Sequence, residues 1–122
     1  ADIDVSYKYI GGGMRSTPSD LVRMVIALNQ GKLLNEKTKA LMLTPPFPQA
    51  SSVQALGWRW TEYAGHKAFS HGGAINGFES FLLHLVEPEL TIALMVNQDG
   101  YDHTSSTTYR VLDLFLNDIA KN

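Results

Sequence analysis

An α+β fold, with helices packed on an antiparallel sheet, is predicted by three features of the 122-residue sequence. Apolar residues recur at helical spacing in residues 18–30 and again in 104–120, whereas residues 56–96 carry strand patterns. Two strongly apolar segments, 78–86 and 90–96, are separated only by Glu87-Pro88-Glu89, which suits a hairpin and is too short for a crossover. The elements also come in blocks, two helices, then three or four strands, then one helix, rather than in βα alternation.

Residues 11–13 are Gly-Gly-Gly, a backbone able to take positive φ and to let another segment approach closely. Ser16-Thr17-Pro18-Ser19-Asp20 then announces a helix. Thr17 suits the N-cap, Pro18 the first helical position, and Asp20 the positive end of the helix dipole. Leu21, Met24, Val25 and Leu28 keep helical spacing, and Gly31 stops the run. Asn35 caps a shorter helix containing Leu41 and Met42, which Pro45, Pro46 and Pro48 end. Leu56 to Tyr63 alternates aromatic and polar residues as a strand, Ala64-Gly65 turns the chain, and Lys67 to His71 forms the next strand before Gly72-Gly73. Asn76-Gly77 reads as a turn, Phe78–Val86 and Leu90–Val96 as strands, and 104–120 as the closing helix. Its expected buried stripe is Val111, Leu112, Leu114, Phe115 and Ile119.

The strands 78–86 and 90–96 lack polar alternation, so their sheet needs cover on both faces. The closing helix covers one. The other face is expected to be met by chain outside these residues, and an open face or edge is expected to promote self-association. Residues 1–122 are read as a single domain or fragment, with 1–55 helical and 56–122 holding the strands and closing helix.

Composition narrows the function. The chain is 44% hydrophobic and 18% charged, which supports a packed core. Its net charge of −2 is dispersed, so no basic run exists to neutralise nucleic-acid phosphates. No apolar run reaches the ~20 residues of a membrane-spanning helix. There is no Cys, which excludes disulfides, thiolate catalysis and Cys-ligated zinc. His66, His84 and His103 lack His-Glu-x-x-His spacing and are read as structural, so no metal or cofactor is expected. Ala1 to Tyr7 shows no initiator Met, basic start or apolar signal core, and is read as a processed or trimmed end.

The segment richest in chemistry is Phe69-Ser70-His71-Gly72-Gly73-Ala74-Ile75-Asn76-Gly77-Phe78-Glu79-Ser80. It resembles the third active-site motif of serine β-lactamases, penicillin-binding D,D-peptidases and related esterases, a strand bearing Lys-Thr-Gly or His-x-Gly. Gly13 to Leu21 resembles that family's "GG-x-x-ST-x-x-DL" helix start, Leu56-Gly57-Trp58 its "LGW" strand, and Glu87 to Asn97 its hairpin. Four motifs in the family's order cover nearly the whole chain. The resemblance implies a β-lactamase/transpeptidase-like fold, its C-terminal portion only, and a serine hydrolase acting on amide or ester bonds through an acyl-enzyme. It also implies that the Ala74 amide is an oxyanion donor and that His71 faces the nucleophile and the substrate. A His there can donate a hydrogen bond or relay a proton near neutral pH. Gly72 and Gly73 keep the substrate's approach clear, and Asn76 is a candidate substrate contact. Trp58 and Trp60 are candidates for a cleft wall, with core packing as the ordinary reading, and Tyr101, Asp102 and His103 suggest a polar cluster.

Two of the family's motifs are not in the sequence. No Lys has a Ser three residues before it, so Ser-x-x-Lys, in which Lys activates the Ser, is lacking. No Tyr or Ser has Asn two positions on. The resemblance therefore implies that the chain is inactive unaided and that its partner is a segment carrying the nucleophile. It also points to an exported or periplasmic setting. The alternative is a non-catalytic domain that binds peptide or cell-wall-like ligands in the same cleft.

Overall fold

The computed structural model describes residues 11–46, 53–98, 100–101, 103–119 and 121. The readings placed on residues 1–7, Pro48 and Asp102 fall outside them. The elements run α1 (Pro18–Asn29), α2 (Glu36–Leu43), β1 (Arg59–Tyr63), β2 (His66–Ile75), β3 (Phe78–Leu85), β4 (Leu90–Val96) and α3 (Thr104–Ile119). The strands form one antiparallel sheet in the order β1-β2-β3-β4.

Local chemistry sets the helix ends. The Asp20 amide donates to Thr17 Oγ1 at 3.2 Å, which makes Thr17 the N-cap of α1. The Arg23 guanidinium on Asp20 at 2.8 Å, with the Thr17 hydroxyl, lowers the Asp20 carboxyl below its ordinary pKa. Gly31 takes φ 69°, and the Lys32 amide returns to the Ala27 carbonyl at 2.9 Å, so α1 closes in a Schellman turn. Asn35 caps α2 through the Thr38 amide at 2.9 Å. Glycines 11–13 do not take the positive φ their composition allows.

Two helical layers sandwich the sheet, and this corrects the expectation that one face would be left for chain outside these residues. Pairing of Phe69 with His84 and of His71 with Leu82 puts Phe69, Leu82 and His84 on one face. There Val25 and Leu28 of α1 pack with Trp58, Phe69 and Leu82. Ala68, Leu83 and Leu85 look the other way and pack against Leu112 of α3, with Tyr109 and Leu116 beside them. The stripe expected on α3 holds at Leu112, which is buried, and at half-buried Val111, but not beyond them. Leu114 is 70% exposed, Phe115 50% and Ile119 52%, whereas Thr104, Thr108 and Leu112, spaced by four, face inward. Thr108 is tolerated there because its hydroxyl donates to the Thr104 carbonyl at 2.8 Å.

Trp58 and Trp60 are core, not cleft. Trp60 meets Phe69 edge-on at 4.0 Å, and its indole N–H donates to the Leu43 carbonyl, tying α2 to β1. Tyr63 ties β1 to α3 by donating to Asp113 Oδ1 at 2.8 Å, and that carboxylate raises the Tyr63 pKa. β1 starts at Arg59 rather than at Leu56, because Gly57 takes φ 79° and the Ala55 amide turns back onto the Trp58 carbonyl.

His84 is buried, as a structural histidine should be. Its Nε2 lies 2.8 Å from Asn29 Nδ2 on α1, its Nδ1 3.0 Å from Thr91 Oγ1 on β4, and its ring stacks on Phe69. Burial lowers its pKa, against a smaller opposing pull from Glu89. In the unfolded chain an imidazole titrates near ~6.5. His84 therefore contributes its full share of stability above that pH, and the share shrinks as pH falls below it, because the unfolded state takes up the proton first. Urea titrations between pH 8 and 5 are expected to show stability falling with acid, and less steeply in His84→Gln. An unchanged pH slope in the variant would remove His84 as the cause.

Candidate active-site wall

β2 outruns its neighbour. The sequence suggested a strand ending at His71, but the ladder with β3 carries through Gly72↔Phe81, Gly73↔Ser80 and Ala74↔Glu79 to Ile75↔Phe78. Pairing with β1 stops at Arg59↔Ser70. The last five residues of β2 therefore have a strand on one side only.

Backbone alternation decides what this free edge offers. The Lys67 carbonyl accepts from the Val86 amide at 2.9 Å, so Lys67 directs its backbone toward the β3 side. Successive residues of an antiparallel strand turn their N–H and C=O groups to opposite edges. Phe69, His71 and Gly73 thus also serve β3, while Ala68, Ser70, Gly72 and Ala74 turn toward β1. For Gly72 and Ala74, β1 is no longer there. Their amides emerge on the open edge, with no ladder partner among the described residues.

His71, Gly72, Gly73, Ala74 and Asn76 are all exposed, the first four on β2 and Asn76 in its turn to β3, where Gly77 takes φ 80°. The glycines also have a packing reason. A Cβ at Gly72 would sit 3.3 Å from Phe81 Cδ2, and one at Gly73 3.2 Å from Ser80 Oγ. A cavity of about 240 Å³ opens at the end of the β1–β2 pairing, lined by Gln54, Arg59, Ser70, His71, Gly72 and Phe81. The structure thus brings His71 and Gly72 together at this cavity, with Gly73, Ala74 and Asn76 further along the strand and outside its lining.

Arg59, Ser70 and Gln54 were not singled out in the sequence. Ser70 faces Arg59 only through the β1–β2 register, and Gln54 reaches it through a single bridge. The signal available was the strand alternation itself, which puts an Arg beside the motif. Tyr101 does join a polar cluster, with its hydroxyl 3.2 Å from Thr107 Oγ1 and its ring against His103. Among the described residues no cluster of His, Asp and Glu could hold a metal ion.

A four-stranded antiparallel sheet with helices on both faces makes this an α+β chain of the β-lactamase/transpeptidase-like fold. The chain belongs to the beta-lactamase family, whose model matches residues 2–115. D-amino acid amidase from Ochrobactrum anthropi SV3, in the structure complexed with D-phenylalanine, superposes with a TM-score of 0.67 at 26% identity, over 81% of this chain and 36% of the amidase. A second structure of that amidase gives the same TM-score and identity over 34% of its length. The chain thus spans about a third of the amidase it resembles. No curated protein matches the chain.

Proposed function

We propose that this chain forms the oxyanion side of a serine hydrolase that cleaves amide or ester bonds, completed by a segment that carries the nucleophile. The free edge of β2 at Gly72 and Ala74, in a chain of this family, carries the reading. When a serine attacks a carbonyl, charge collects on the carbonyl oxygen, and a fixed amide donor stabilises it without reorganising. The Ala74 N–H is that donor. His71, exposed on the same strand, hydrogen-bonds the substrate and passes a proton toward the leaving group. Gly72 and Gly73 leave room for the substrate to lie along the edge.

The amidase similarity makes D-amino acid amides and esters the first substrates to try. The test uses the natural polypeptide containing residues 1–122, incubated with a D-phenylalanine ester and followed by intact mass. One added D-phenylalanyl group, appearing before steady turnover, is expected. A polypeptide with no Ser-x-x-Lys segment in itself or a partner, and no adduct, would sink the enzyme reading.

A second reading is a non-catalytic domain that binds peptide or cell-wall-like ligands along the same exposed end of β2. That reading expects binding without turnover, and a loss confined to affinity when His71 becomes Ala.

A further inference from the structure

The far end of β2 consists of residues that cannot hold themselves in place. Past Ser70 it has no β1 beside it, and Gly72 and Gly73 bring no side chain to pack. Where the Ala74 amide points is therefore set by β3, through Gly72↔Phe81, Gly73↔Ser80 and Ala74↔Glu79. Two of these β3 residues are fastened to α3. The Phe81 ring lies 6.1 Å from that of Tyr109, and Glu79, directly opposite Ala74, accepts from the Thr104 hydroxyl through Oε2 at 3.4 Å. Of the two anchors, Glu79 is the nearer to the tip, and Phe78, between it and the turn, is 54% exposed. Thr104 is itself well held. It is buried at the start of α3, and its carbonyl accepts from the Thr108 hydroxyl at 2.8 Å. The 3.4 Å contact is longer than an ordinary O–H···O bond. The Glu79 carboxylate, however, also meets the positive end of a 16-residue helix, where the first amides lack intrahelical acceptors.

We infer that Glu79 is a positioning residue of the oxyanion wall, a half-buried carboxylate that ties the tip of the β2–β3 hairpin to α3 and so fixes the Ala74 amide. The inference rests on the hydrolase reading, because the place of that amide matters to chemistry only if it meets an oxyanion. Such a donor works by being in place before the charge develops, and its supporting residues must hold it to within about 0.5 Å. The Glu79 side chain is turned to α3, so it acts through the strand and not on the substrate. A Gln in its place keeps an acceptor for Thr104 and loses only the attraction of a full charge to the helix end. An Ala loses both.

The test compares Glu79→Ala, Glu79→Gln and Thr104→Val in the natural polypeptide, with the D-phenylalanine ester as substrate. Glu79→Ala should lower kcat roughly 10-fold, short of the ~100-fold that a ~1 Å misplacement can cost, with KM nearly unchanged. Glu79→Gln should recover most of that rate, and Thr104→Val should lower kcat as Glu79→Ala does. The double variant should be no worse than Glu79→Ala alone, because both changes remove one contact. Backbone ¹⁵N order parameters read the tether without the chemistry. In Glu79→Ala those of Gly72 to Ile75 should fall toward the flexible range, below about 0.6, while those of Ala68 and Phe69 stay near about 0.85. A residue that only stabilised the fold would lower the melting temperature and leave kcat and these order parameters as they were. Order parameters that do not move in Glu79→Ala, or a kcat that holds although the tip loosens, overturn the positioning role while the hydrolase reading stands. If the wild type cleaves nothing, the hydrolase reading falls, and the order parameters alone decide whether Glu79 holds the tip.

Discussion

Replacing Leu83 with Ala is expected to destabilise the chain by roughly 2–5 kcal/mol, the range for truncating a leucine in a core that cannot close around the gap. Leu83 is 1% exposed and central to β3, between Ala68, Leu85 and the Leu112 side chain of α3. Its neighbours are held by the sheet on one side and by α3 on the other, so they cannot move into the space. Domains are stable by only about 5–15 kcal/mol, so this change alone removes a large share of the total. Leu114→Ala is the control, since that side chain is 70% exposed and should shift stability by less than about 0.5 kcal/mol. Urea unfolding monitored through Trp58 and Trp60 checks both. The midpoint should drop for Leu83→Ala without a change in slope. A near-neutral Leu83→Ala would mean that α3 does not pack on this face as described.

Ala74→Pro is expected to cost about 100- to 1000-fold in kcat, the effect of removing one oxyanion donor. The substitution removes the amide hydrogen, and proline is tolerated on a strand edge whose N–H is not part of the ladder. Backbone alternation turns the Ala74 amide to such an edge, so the β2–β3 pairing at Ala74↔Glu79 survives. Thermal stability should therefore move little. Ala74→Gly keeps the amide and should keep most of the rate. A large loss of stability in Ala74→Pro would show that this amide is a ladder donor rather than a free one.

What the sequence revealed was chemistry that acts over a few residues. Thr17-Pro18-Ser19-Asp20 announces the start of α1 because the cap is made within four residues, and Gly31 announces its end for the same reason. The Glu87-Pro88-Glu89 turn and the apolar strands beside it were equally plain. Beyond Leu112, the inward face of α3 was not. Leu114, Phe115 and Ile119 are the more hydrophobic choices, but the inward face follows Thr104, Thr108 and Leu112, and only the packed sheet selects it. The continuation of β2 to Ile75 was hidden because glycines are poor strand formers taken singly, and pairing with β3 carries them. His71 and Gly72 stood out because the motif is contiguous. Arg59 and Ser70 did not, because they are eleven positions apart and meet through the strand register.

The most direct test of the free-edge account observes the Ala74 amide itself. The natural polypeptide, labelled with ¹⁵N, would be reacted with a D-phenylalanine-like phosphonate ester, whose adduct on serine mimics the tetrahedral oxyanion. The expected result is a marked downfield shift of the Ala74 amide proton on adduct formation, with Gly73, which serves β3, far less affected. An adduct that leaves the Ala74 proton where it was would contradict the assignment of β2 as the oxyanion wall.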